Sequence, residues 1–67
     1  MTAAEFTAWR ERMRWAQQAA ATALGLNLRT VQRYEKSPRP VPVSVGLGAR
    51  WIEAERKLRE IIGGERE

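Results

Sequence analysis

The chain has 67 residues, twelve Lys and Arg against eight acidic residues for a net charge of +4, and neither cysteine nor histidine. That composition reads as one small domain over 1–67 and excludes disulfide staples, the usual zinc sites, and thiol or imidazole catalysis. A chain this short buries only about 60% of its unfolded surface, so pairing with a second copy is its remaining route to more core.

In chain order, Thr2 followed by Glu5 forms a capping-box pattern that predicts a first helix from about Ala3 to Met13. Phe6, Trp9 and Met13 give that helix one apolar face, and Trp15 in the following connection plugs the core. An alanine-rich second helix is expected over Gln17 to Leu24, stopped by Gly25. Asn27 caps a third helix over Leu28 to Glu35, and Ser37, Pro38, Pro40 and Pro42 enforce an extended connector. The last helix runs from near Val43 to Ile62 and ends at Gly63-Gly64, with Gly46 and Gly48 weakening its first turn.

Along that last helix Leu47, Trp51, Ala54, Leu58 and Ile61 recur at alternating four- and three-residue spacing, a seam about two heptads long flanked by Ile52 and Ile62. Its early part, Leu47 to Trp51, is expected to pack on the domain's own core. Leu58 to Ile62 overhangs the domain. A homodimer interface is therefore expected at Trp51, Leu58, Ile61 and Ile62. The predicted fold class is all-α: a compact bundle of four or five helices with a longer C-terminal one.

Charge is segregated. Residues 1–40 hold seven Arg and Lys against three Glu, whereas residues 41–67 hold five of each sign. The whole excess sits on the segment with the second and third helices, which a polyanion would meet first. No apolar run approaches the roughly 20 residues of a membrane span, and Met1 to Glu5 opens a polar helix rather than a signal sequence. A cytoplasmic, nucleoid-associated protein without membrane, metal or cofactor is expected. With no paired carboxylates to supply acid–base chemistry, no catalytic residue is assigned and no enzyme is expected.

Residues Gln17 to Lys36 carry the functional signal. Ala21, Gly25 and Val31 stand four and six residues apart, the spacing of a helix-turn-helix: a small residue where the helices cross, a glycine where the backbone turns, and an apolar residue pointing back. Gln17, Ala21, Leu24, Gly25, Leu26, Thr30, Val31, Arg33, Tyr34 and Glu35 together resemble the lambda-repressor-like (Cro/XRE-type) helix-turn-helix regulators. Arg10 and the RPVP run at Arg39–Pro42 fit the same pattern, so the resemblance covers about residues 2–55. It implies a domain that binds inverted-repeat operators in double-stranded DNA, often as a homodimer; many small members are prophage or plasmid repressors, antitoxins or autoregulators. Two positions depart from the pattern. Ala16 stands where Ser or Thr often caps the second helix, a loss of about 1 kcal/mol, and Arg14 stands where glycine is common.

With Val31 and Tyr34 facing inward, the outward set of the third helix is Leu28, Arg29, Gln32 and Arg33. These are the predicted base contacts: arginine for guanine, glutamine for adenine, leucine for a thymine methyl. Gln17, at a helix N-terminus, is a predicted phosphate contact, and Arg14, Thr30, Lys36 and Arg39 are predicted to meet phosphates without reading sequence. The resemblance further implies that Arg10 and Glu35 pair to lock the third helix to its scaffold, and that Gln17 binds phosphate or braces that helix. Trp9, Trp15 and Tyr34 read as core. Two recognition helices about one DNA turn apart would block polymerase by occupying a palindrome. The 67 residues leave no room for a ligand-sensing domain, so protein concentration is the expected regulator. The competing reading is an antitoxin-type module whose Arg50–Ile62 segment binds a toxin or other protein partner while the domain also binds DNA. RNA binding is disfavoured, because no exposed aromatic stacking surface is evident.

Overall fold

The computed structural model of the protein describes residues 1–65. It contains four helices, α1 (Ala3–Arg12), α2 (Gln17–Leu24), α3 (Leu28–Lys36) and α4 (Val43–Glu65), and no strand among the described residues. None of the helices is long and apolar enough to cross a membrane.

Local chemistry accounts for each boundary. The Thr2 hydroxyl accepts from the Glu5 amide at 3.1 Å while the Glu5 carboxylate accepts from the Thr2 amide at 2.7 Å, the reciprocal box that starts α1. The exit from α1 bonds the Trp15 amide to the Arg10 carbonyl and the Arg14 amide to the Glu11 carbonyl. The exit from α2 repeats this, with Leu26 bonded to Ala21 and Gly25 to Thr22. Both are Schellman turns, which need one residue in the left-handed region. Gly25 fills that position at φ 71°, and Arg14 fills the equivalent one at φ 60°. At α3, the Asn27 side chain accepts from both the Thr30 amide and the Thr30 hydroxyl at 2.8 Å. No side-chain bond caps α2, whose preceding residue is Ala16.

Phe6, Trp9, Met13, Ala20, Ala21, Val31, Val41 and Ala49 are buried and form the core. Phe6 meets Trp9 at 5.5 Å between ring centroids and Tyr34 edge-on at 6.1 Å, and Trp9 meets Trp15 edge-on at 5.8 Å. Each such pair adds about 0.5–1.5 kcal/mol beyond its area. Ala20 and Ala21 let α2 lie close against its neighbours. Val41 belongs to the proline-rich connector yet is buried, and its amide donates to the Met1 carbonyl at 2.9 Å, so the connector ties the N-terminus down.

Two expectations for α4 are corrected. The helix passes through Gly63 and Gly64 to Glu65 instead of ending there. Two glycines lower helix propensity by about 1 kcal/mol each, yet the helix continues through both within the described residues. The second correction concerns its faces. Val45, Gly48, Ala49 and Ile52 pack inward, whereas Leu47 and Trp51 are 59% and 70% exposed. Both seams have helical spacing. The body took the one with small residues: Gly46 lies against Met1, and a Cβ on Gly48 would sit 3.5 Å from the Leu24 Cδ2 methyl. Three polar contacts hold α4 in place. Arg12 forks onto Glu53 through two bonds of 3.1 Å, while Arg56 donates to the Met13 carbonyl at 3.0 Å and lies 5.7 Å over the Trp15 ring. Beyond Arg56 every described side chain is exposed, and the overhang gives the molecule its 44 × 19 × 17 Å extents.

Candidate nucleic-acid interface

The site is the outer side of α3, and its position depends on how firmly α3 is held. Val31 is fully buried, and Tyr34 is half-buried against Phe6. At the C-terminal end, Arg10 of α1 grips Glu35 through Nε to Oε2 at 2.6 Å and Nη2 to Oε1 at 3.1 Å. The same guanidinium donates through Nη1 to the Trp15 carbonyl at 2.9 Å, and Gln17 Nε2 of α2 donates to Glu35 Oε1 at 3.3 Å. One carboxylate therefore ties α1, α2 and the turn between them to α3. Burial alone would raise the Glu35 pKa. The hydrogen bonds from Arg10 and Gln17, with the Arg10 charge, outweigh it and hold the carboxyl below its ordinary 4.5. The Glu35 carboxylate in turn holds the Arg10 guanidinium above its usual range. The pairing implied by the resemblance is thus present in the structure.

Opposite Val31, the side chains of Arg29, Gln32 and Arg33 are exposed, and Lys36 continues the row. Among the described residues none of these three cations enters an ion pair. Arg29 and Arg33 lie one helical turn apart, about 6 Å along the axis, with Gln32 beside Arg33. Leu28 is half-buried at the first position of α3, next to the turn. The four predicted base-reading residues therefore share one face, three of them exposed.

The predicted phosphate-binding residues divide. Arg14 is exposed at the turn before α2, and Lys36 and Arg39 are exposed at the far end of α3 and in the connector. Thr30 is half-buried and its hydroxyl donates to Asn27, so its proton is spent on the cap. Gln17 is half-buried with its amide committed to Glu35. What remains open at that end is the α2 backbone, whose first turn has no side-chain cap. An uncapped first turn leaves N–H groups and the positive end of the helix dipole available to an anion.

The predicted interface residues Trp51, Leu58, Ile61 and Ile62 are all exposed, by 70, 56, 61 and 44%. Val43, which the sequence reading does not name as an interface residue, and Leu47, expected in the core, extend the same stripe at 78 and 59% exposed. Their helical spacing from Trp51 was the available signal for both. No protein-family model, curated protein or solved structure matches the chain.

Proposed function

We propose that this chain is a sequence-specific regulator of transcription that binds double-stranded DNA as a homodimer, each α3 entering the major groove of one half of an inverted-repeat operator. In this reading α2, the Gly25–Asn27 turn and α3 form a lambda-repressor-like helix-turn-helix. The observation that carries it is the exposed row Arg29, Gln32 and Arg33, free of ion pairs among the described residues, on a helix anchored on its other side by Val31 and the Arg10–Glu35 pair. Surface arginines left unpaired on a rigid helix retain all their donors for guanine O6 and N7, and the neighbouring glutamine suits adenine. Leu28 reaches a thymine methyl. Arg14, Lys36, Arg39 and the open N-terminus of α2 neutralise phosphates on either side of the groove. Occupancy of a site overlapping a promoter then blocks polymerase.

Selection of bound duplexes from a random pool tests this directly, and a palindromic consensus is expected. Arg29→Ala and Arg33→Ala should each cost about 1–3 kcal/mol of discrimination at one base pair while the helical circular-dichroism spectrum stays unchanged. Selectivity unaltered in both variants, measured by competition gel-shift, overturns the assignment. A second reading, an antitoxin-type module, is favoured by the apolar stripe on α4 that the domain leaves open. It predicts a monomer whose stripe is covered by another protein.

A further inference from the structure

The apolar stripe on α4 has an edge chemistry that specifies its partner. Leu47, Trp51, Ala54, Leu58 and Ile61 occupy alternating d and a positions of a heptad frame, with Leu47 at d and Trp51 at a. At about 100° per residue, this stripe lies on the side of α4 opposite Val45, Ala49 and Ile52, which are the residues packed on the domain body. A second helix laid on the stripe is therefore directed away from the core of the first domain, meeting its body only near Met1, which lies beside Leu47 and Arg50.

The flanks differ in sign. Arg50 and Lys57 fall at g on one edge, and Glu55 falls at e on the other, with Gly48 and Ile62. In a parallel pair, each g residue faces the e residue five positions on in the other chain. Arg50 then faces Glu55 of the partner subunit, twice by symmetry. In an antiparallel pair g faces g, so the basic edge of one chain runs along the basic edge of the other, Arg50 near Lys57. Arg50 is exposed, and the Glu55 carboxylate is partly exposed while accepting from Arg59 at 2.7 Å, which leaves oxygen lone pairs open.

Resting on the homodimer reading above, we infer that two copies of this chain pair in parallel and in register through α4, with Trp51 stacked between Leu47 and Ala54 layers and Arg50 bridged to Glu55 across both edges. The small Ala54 layer provides room beside the large Trp51 layer. Either orientation of the pair is two-fold symmetric, as an inverted repeat requires, so it is the charge on the two edges that selects the parallel one.

The chain has no cysteine, so a single engineered one reports the orientation. Ile61→Cys should form an inter-chain disulfide under mild oxidation, because parallel pairing puts the two positions side by side. Antiparallel pairing would set them about 20 Å apart, beyond the roughly 7 Å Cα separation a disulfide tolerates. Arg50→Glu and Glu55→Arg alone should each raise the dimer dissociation constant about 3–10-fold, and the double swap should restore it. A dimer by sedimentation equilibrium that cross-links through mixed Leu47→Cys and Ile61→Cys chains, but not through Ile61→Cys alone, overturns parallel pairing and leaves the homodimer intact. Leu58→Glu should sediment as a monomer; a Leu58→Glu dimer, or a wild-type monomer or trimer at all concentrations, overturns the seam itself. None of these readouts uses DNA, so the DNA-binding proposal stands or falls separately.

Discussion

Among the described residues Arg14 is the one non-glycine at positive φ, and it is also a candidate phosphate contact. An L-residue in that region pays roughly 1–2 kcal/mol, which glycine avoids at the cost of greater freedom in the unfolded chain. Arg14→Gly is expected to raise stability by up to about 1 kcal/mol in chemical denaturation while weakening binding to duplex DNA. Stability and affinity moving in the same direction would show that one of the two roles is misassigned. Glu35 makes a second residue-scale prediction. Its carboxyl is depressed in the folded protein, so its contribution is complete above the ordinary value near 4.5 and is lost as pH falls through the lower folded value. Melting temperature should drop below about pH 4.5, the reference value for a glutamate. In Glu35→Gln that drop should be shallower, and the variant should start from a lower stability at neutral pH because Arg10 loses its charged partner.

The starts of α1 and α3 and the exits of α1 and α2 are set by residues close in sequence, whereas the buried faces of the helices are set by side chains far away. Gly25 and Gly48 illustrate the difference. Gly25 sits at φ 71° with open space around it, so the backbone itself requires glycine there. Gly48 is helical, and an added Cβ would make ordinary contact with Leu24. Gly25→Ala should therefore destabilise by about 1 kcal/mol through strain, whereas Gly48→Ala should stabilise by about 0.5–1 kcal/mol through helix propensity. Gly48→Leu should reverse the second effect, since a larger side chain drives into Leu24 and lifts α4. Thermal melts of the three variants check all the signs at once.

At the scale of the molecule, the charge excess and the open α3 face lie in the same half of the chain, and the overhanging α4 lies in the other. If the basic half meets DNA, affinity must fall steeply with salt, because each neutralised phosphate releases counterions. Lys36→Ala and Arg39→Ala should each weaken binding similarly for all sequences and reduce the logarithmic salt slope by about one per contact, in contrast to the sequence-selective loss at Arg29 and Arg33. A salt slope unaltered by both would remove these residues from the interface.

Much of this protein is legible in its amino-acid sequence. The capping box at Thr2 and Glu5, the Asn27 cap, the Gly25 turn and the inward Val31 all follow from interactions within six residues, and chain order alone sets them. So does the outward row of α3, since Arg29, Gln32 and Arg33 must lie across the helix from a buried Val31. The tertiary structure decided what periodicity leaves degenerate. Helix α4 carries two apolar seams of nearly equal quality, and only packing against Met1 and Leu24 selected the glycine-bearing one for the core, leaving Leu47 and Trp51 in solvent. Likewise the sequence leaves Gln17 two roles, binding phosphate or bracing the third helix, and the folded chain puts its amide on Glu35 of α3, eighteen positions away. Local contacts are written in the spacing of neighbours; which of two competent faces is buried depends on surfaces that meet only once the chain has closed on itself.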